Sequence, residues 1–232
     1  MFNIKIADFV ISIENKYEYI QSMCRDYITD EEAEFSVSAT DEEIMRESEN
    51  GQEQFPAYYL ETLAIYRKIA EKLADYDTFL IHGVLMSCEN TGVLLCAESG
   101  TGKSTHAALW LRLLGGRCEI INGDKPLVRI IDGEAYAYGT PWCGKEGINK
   151  NARVPLKNIC FIERAKENSA IPVEKSEILK NLIPSIHMPS GAGVINVLDA
   201  IDKTARGAKF YRILCNMDIS AAETAYNAIM KG

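Results

Sequence analysis

The run Ser99-Gly-Thr-Gly-Lys-Ser-Thr105 carries the residue types needed to hold a polyanion. Gly100 and Gly102 let the backbone turn its N–H groups inward toward anionic oxygens. Lys103 can reach the β- and γ-phosphates of a nucleotide, and the Ser104 hydroxyl can ligate Mg²⁺. From Ala97 to Ser104 the spacing is that of a phosphate-binding loop, with Ala97 where the strict pattern has glycine. One helix further on, Cys118-Glu-Ile-Ile-Asn-Gly-Asp124 reads as an apolar strand ending in an acid, where a metal-organising carboxylate belongs. Between Thr140 and Lys166 the charge turns basic, with Lys145, Lys150, Arg153, Lys157, Arg164 and Lys166 against Glu146 and Glu163. Negative charge spread over phosphoryl oxygens needs such cations, and Arg153 with Lys145 is the expected pair. A solvated basic face is the equal alternative.

These residues need elements to position them. Val93 to Ala97 is an apolar run suited to a buried strand, and Lys103 to Leu114 is helical in composition and stops at Gly115-Gly116. Strand, glycine turn and helix together present a helix N-terminus to an anion. Upstream, Phe2 to Glu14 alternates as one strand with an irregularity near Asp8, Lys16 to Ile28 suggests a short helix, and Glu34 to Ala39 a strand. Thr40 and Glu43 have capping-box spacing and open a short acidic helix. A polar loop over 48–54 follows, then a helix begun at Pro56 with Tyr59, Leu63, Tyr66, Ile69, Ala70 and Leu73 on one face. Thr78 to Ser87 reads as one strand, joined to the next by a turn of hairpin composition. Asp132-Gly133 sets a hairpin between Leu127–Ile131 and Glu134–Tyr138. Strands are expected over Lys157–Glu163 and Lys209–Cys215, and helices over Ser176–Ile186, Ala192–Ala200 and Ser220–Met230, the last capped by Ser220.

At 232 residues, 47% hydrophobic and 25% charged, the chain has room for one large domain, or a domain with an appendage. We divide it into an α+β appendage over 1–75 and a nucleotide-binding domain over 76–232. A net charge of −8 speaks against a nucleic-acid or anionic-membrane partner. No apolar run reaches the ~18 residues of a membrane span, and the N-terminal residues do not resemble a signal peptide. Seven cysteines lie singly in apolar stretches without a Cys-x-x-Cys pair, which suggests reduced, buried thiols in a cytoplasmic protein and no zinc site. Acid is concentrated between Asp26 and Gln54, where eleven carboxylates face the single Arg46.

From about Phe79 to Gly139 the chain resembles the nucleotide-binding domain of HPr kinase/phosphorylase and, more distantly, of ATP-dependent phosphoenolpyruvate carboxykinase. The resemblance rests on His82-Gly-Val-Leu, Gly92-Val-Leu-Leu, Ser99-Gly-Thr-Gly-Lys-Ser-Thr105 and Ile121-Asn-Gly-Asp124, in that order and at similar spacing. It covers about a quarter of the chain densely. It implies an α/β fold with a P-loop-containing mixed β-sheet flanked by helices, ATP and Mg²⁺ as cofactors, and a homo-oligomer. His82 would stand beside the reacting phosphate, as a donor to a phosphoryl oxygen or a proton shuttle. Two departures matter. Both families usually carry adjacent aspartates where Asp124 stands between Gly123 and Lys125, and Thr105 replaces the glutamate typical of the kinases. With the short, acidic first 75 residues, they point away from HPr itself as substrate.

The expected activity is a Mg²⁺/ATP-dependent kinase passing the γ-phosphoryl group to a hydroxyl acceptor on a small molecule, peptide or protein. Ser99 through Thr105 would bind nucleotide, Ser104 and Asp124 the metal, and Asp124, His82, Arg153 and Lys145 would act on the reacting groups. Trp142, Tyr136 and Tyr138 are candidates to stack on the base, or core residues. His106 and His187 have no such support. The alternative is a nucleotide-binding regulatory or adaptor module without turnover. A decarboxylating carboxykinase is disfavoured by the chain's length and by the lack of a lysine, histidine and aspartate set for its extra Mn²⁺.

Overall fold

Ile4, Ile6, Phe9, Ile11 and Ile13 alternate along the chain, and all five are buried. They do so on two strands, not one. A computed structural model, which describes residues 1–49 and 55–231, shows β1 (Phe2–Ile6) and β2 (Phe9–Glu14) as an antiparallel hairpin. Ala7 and Asp8 both take positive φ, 49° and 66°, the turn geometry that matches the twist of paired strands. The expected irregularity at Asp8 is thus a full reversal. A short helix α1 (Tyr19–Met23) leads to β3 (Phe35–Ser38), which adds parallel to β2 and completes a three-stranded sheet.

The capping box forms as spaced. Thr40 N–H donates to Glu43 Oε2 at 2.8 Å and Glu43 N–H to Thr40 Oγ1 at 3.2 Å, opening α2 (Asp41–Glu49). Residues 50–54 of the expected polar loop lie outside the described residues. In α3 (Ala57–Leu73) burial extends beyond one stripe, to Leu60, Glu61 and Ile65. The Glu61 carboxylate is wholly buried and accepts from Lys16 N–H at 2.5 Å and Tyr17 N–H at 3.1 Å, so its charge is satisfied by backbone donors.

The larger sheet has nine strands. They are β4 (Thr78–Leu80), β5 (Val84–Cys88), β6 (Thr91–Cys96), β7 (Cys118–Asn122), β8 (Leu127–Ile131), β9 (Glu134–Tyr138), β10 (Arg153–Arg164), β11 (Ser169–Pro172) and β12 (Lys209–Cys215). Their main order is β4-β8-β9-β10-β6-β5-β7, with β12 beside the C-terminal part of β10 and β11 on β12. β6, β10 and β12 run parallel, and the remaining pairings are antiparallel. Both hairpin turns expected here occur, with positive φ at Glu89 and Asn90 and at Asp132 and Gly133. The expected strand over 78–87 is two strands separated by Ile81-His82-Gly83.

Alternation along the strands gives the sheet two apolar faces. Leu85, Leu94, Cys96, Ile159 and Phe161 share a cluster with helices α5 (Lys175–Leu182) and α6 (Gly193–Gly207). Val84, Met86, Val93, Leu95, Cys160 and Ile162 face α4 (Lys103–Leu114) and α7 (Ile219–Met230), with Trp110 fully buried among them. A third cluster joins the small sheet and α3 to Leu127, Tyr138 and Trp142. Asp218 precedes α7 as its cap residue, two residues before the expected Ser220. Cys88 and Cys118, directly opposite on β5 and β7, are joined by a disulfide, which corrects the expectation of reduced thiols throughout. Cys24, Cys96, Cys143, Cys160 and Cys215 are free and buried. Among the described residues no helix is long and apolar enough to cross a membrane.

Candidate functional site

Parallel β6, β10 and β12 end on the same side of the sheet, and loops leaving the carboxyl ends of parallel strands are where ligands collect. Leaving β6, the chain turns through Ala97–Gly102 and enters α4 at Lys103. Gly100 (φ 78°) and Gly102 (φ 120°) have no heavy atom within 4 Å of where a Cβ would stand. Their requirement is therefore conformational, not steric. Gly102 caps α4 with no side-chain acceptor, which leaves the first turn's amides open to an anion.

Within this loop Glu98, Ser99 and Gly100 are exposed, Thr101, Gly102 and Ser104 half-buried, and Thr105 exposed. Lys103 is buried and folds back under the turn, donating to Ala97 O at 2.8 Å and Glu98 O at 3.4 Å. Burial lowers the pKa of its ammonium, while the Asp124 carboxylate works in the opposite direction. Arg164, at the last position of β10, donates from Nε to Thr101 O at 2.9 Å and from its terminal nitrogen to Gly100 O. Cys96, the residue before the loop, has its thiol pushed up to about 12 by burial, which leaves it inert as a nucleophile.

Two further segments complete the site. The break between β4 and β5 holds His82, whose N–H donates to Ser185 O at 2.6 Å while Gly83 N–H donates to Asp124 O at 2.8 Å. Beyond β7, the Asn122 side chain accepts from Asp124 N–H at 3.0 Å and Lys125 N–H at 2.7 Å, a local turn that aims Asp124. Asn122 is itself fully buried and anchored to Thr140 O at 2.9 Å. His82 Nε2 lies 3.1 Å from Asp124 Oδ1, and the Lys125 ammonium pairs with Oδ2. Burial alone would raise the Asp124 carboxyl, but the His82 hydrogen bond and the Lys125 charge outweigh it and hold the pKa at about 2. A carboxylate that weak as a base is suited to holding charge and orientation, not to taking a proton.

Of these parts, His82, the loop from Cys96 to Thr101 and the end of β10 from Phe161 to Arg164 line a cleft of about 770 Å³ with Lys180, Asn181, Pro184 and Ser185. The Asn181 amide nitrogen is buried there without a hydrogen-bond partner. Asp124 and Lys125 instead line a separate hollow of about 150 Å³ under Trp142 and Gly144. On the other side of the loop a hollow of about 460 Å³ is lined by Gly100 to Gly102, Thr105, His106, Arg164 and Asn216 among others. No three His, Cys, Asp or Glu side chains cluster to hold a metal among the described residues. A Mg²⁺ ion needs only one or two carboxylates when waters and phosphate supply its other oxygens, so that absence does not bear on it. Asp124, ionised above about pH 2, supplies a hard oxygen ligand of the right kind.

The remaining expected residues are placed unequally. Lys145 follows Gly144, whose Cβ position would lie 3.0 Å from Asp124 Cβ, so it belongs to the turn covering the acid. Arg153 does not join the cluster. It begins the twelve-residue β10 that Arg164 ends, roughly 30–35 Å away along an extended strand, and it donates to Asp8 at 2.8 Å and Tyr138 at 3.1 Å. The aromatic candidates are also committed elsewhere. Trp142 stacks on Tyr66 with centroids 4.0 Å apart and donates to Thr62 O, Tyr138 bonds Asp8, and Tyr136 lies under Arg153. His106 is a buried helix residue accepting from Trp110 Nε1 at 3.1 Å. Arg164, Lys125 and Ser185 were not singled out for roles. For Arg164 the signal was its place at the carboxyl end of a strand in the basic segment.

No family model matches the chain, and no curated protein matches it. Among solved structures, the HPr(Ser) kinase/phosphatase from Coxiella burnetii is similar to it at 10% identity and a TM-score of 0.37, over 66% of this chain and 97% of that one. An overlap that loose carries no weight in assigning the activity.

Proposed function

We propose that the chain is a Mg²⁺/ATP-dependent phosphotransferase that moves the γ-phosphoryl group of ATP to a hydroxyl acceptor. The observation that carries this reading is a buried lysine under an uncapped glycine turn, with His82, hydrogen-bonded to Asp124, lining the same cleft as that turn. In this reading Ala97 to Ser104 is a P-loop in a nucleotide-binding domain over 76–232, and residues 1–75 are an appendage packed on it. Loop amides and Lys103 hold the triphosphate, and Ser104 and Asp124 hold Mg²⁺, which supplies neutralisation of phosphate charge when bound. Thr105 and the 460 Å³ hollow take the nucleoside end. Arg164, not Arg153, braces the loop from behind. Asp124 accepts from His82 Nε2 and orients the ring, whose edge lines the cleft. In this reading the use of ATP is the argument for a cytoplasmic location, since the Cys88–Cys118 disulfide removes the one from reduced thiols.

The test is ATP binding by calorimetry with Mg²⁺, followed by ADP release with candidate acceptors. Binding at wild-type strength by Lys103→Met would remove the site assignment. One observation favours the second reading, a nucleotide-binding regulatory module: both Asp124 oxygens already have partners, His82 and Lys125. Nucleotide binding without ADP release under any acceptor would select that reading.

A further inference from the structure

Beside His82 lies a second cavity, of about 220 Å³, whose lining includes Leu63, Arg67, Leu80, Lys125, Ile186 and His187. It shares His82, Pro184 and Ser185 with the large cleft, so the two hollows meet at one wall. That wall is fixed by backbone: His82 N–H donates to Ser185 O at 2.6 Å and His187 N–H to Leu80 O at 3.0 Å. The polar lining consists of cations, imidazoles and hydroxyls. Arg67 and Lys125 have carboxylate partners, Glu47 and Asp124, but neither acid lines the cavity.

The histidine adds a donor that lacks an acceptor. Arg67 NH1 lies 3.4 Å from His187 Nδ1, which assigns the imidazole proton to Nε2, and Nε2 is buried with no partner. Burial, aided by the Arg67 charge, lowers the pKa of His187 and keeps that neutral form. Glu47 occupies Nε and one terminal nitrogen of Arg67. The groups the cavity offers a small anion with an apolar body are therefore the other Arg67 terminal nitrogen, the Lys125 ammonium and the unpaired His187 N–H, beside Leu63, Leu80 and Ile186. At about 220 Å³ it is smaller than the ~300–1,000 Å³ of pockets that take drug-sized ligands.

We propose that this cavity is the acceptor subsite and that the acceptor is a small hydroxy acid, its carboxylate held by Arg67 and His187 and its hydroxyl set against His82. The inference rests on the phosphotransferase reading above. In the transfer, the bond from the γ-phosphorus to the β-bridging oxygen breaks and a bond from phosphorus to the acceptor oxygen forms. The hydroxyl proton is released to water, and ADP leaves with the bridging oxygen, giving the phosphate monoester of the hydroxy acid.

The experiment measures ADP release from ATP and Mg²⁺ with lactate, glycerate, 3-hydroxybutyrate and serine, each beside its neutral carboxamide. We expect at least one acid to react with a kcat/KM at least tenfold above its amide. Its KM should rise at least tenfold in the Glu47→Gln/Arg67→Gln double variant, which removes the ion pair as a unit, with the KM for ATP unchanged. His187→Gln, which spares that pair, should raise the same KM without touching the amide. Transfer to none of the acids, equal use of acid and amide, or an unchanged KM in both variants overturns the proposal. Calorimetry with ATP separates the two failures. Absent ATP binding removes the phosphotransferase reading, and the subsite is then judged by whether lactate, and not lactamide, shifts the His187 imidazole NMR signals.

Discussion

β10 ends in an arginine at both termini, and the two live in opposite surroundings. Arg153, at the start, is neutralised by Asp8 and lies over Tyr136 and Tyr138, tying the first hairpin to the large sheet. Arg164, at the end, bonds the carbonyls of Thr101 and Gly100, and no ion pair forms to it among the described residues. One arginine closes a seam; the other leaves its charge beside the glycine turn before α4. A basic side chain says little about function until its direction along the strand is known, because only the carboxyl end of parallel β10 reaches the cleft.

The sharpest way to break this contrast is at the cleft end. Lys103→Met should weaken ATP binding about 100-fold or more in calorimetry, since a charge-assisted contact to phosphate is lost from a buried position. Wild-type affinity would mean that the two ends of β10 do not differ in function. Asp124→Asn should leave ATP affinity within about threefold while lowering the rate of ADP release by about 10²–10³, the cost of removing one preorganised charge from a transition state. Equal losses in affinity and rate would instead make Asp124 a structural partner of Lys125.

Local chemistry was readable where neighbours in sequence settle it. Thr40 with Glu43 and Asp132-Gly133 act within a few residues, and each forms as spaced. Ala7-Asp8 was misread because a reversal by two non-glycine residues in left-handed backbone leaves the hydrophobic alternation unbroken on both sides. The break at Ile81-His82-Gly83 is equally hidden, since Ile81 is buried like a strand residue while its hydrogen bonds go to Pro126 O and an isolated bridge with Ile186. The site's tertiary half was out of reach for the same reason. Ser185, Asn181 and Arg164 meet the loop only after the sheet orders β10 beside β6, and Cys88 meets Cys118 only after β7 pairs with β5.

His106, in the hollow on the far side of the loop from the cleft, supplies a stability test. Burial holds its pKa at about 4 against an ordinary 6.5, and Trp110 donates to its Nε2, so the native state requires the neutral ring. The unfolded chain takes up the proton first as pH falls. The stabilisation is therefore complete above about pH 6.5 and declines as pH drops toward 4, by roughly 3 kcal/mol in total. Urea unfolding at pH 7.5 and at 4 should show this loss in the wild type and a flatter profile in His106→Gln. Identical profiles would place the imidazole in contact with water, and the wall between loop and helix would then be open.

The smallest effects compare the two arginines directly. Arg164→Ala should raise the Kd for ATP about tenfold, about 1.4 kcal/mol, by freeing the carbonyls of Gly100 and Thr101 and removing a cation beside the loop. Arg153→Ala should leave that Kd unchanged. Its pair with Asp8 is about half exposed on both sides, so solvent screening limits its contribution to stability to about 1 kcal/mol or less. The Tyr138 hydroxyl keeps its bond to Asp8 when the guanidinium goes, which reduces the loss further. A change in ATP affinity in Arg153→Ala as large as that in Arg164→Ala would mean that the first hairpin, through Asp8, is coupled to the cleft along the whole length of β10.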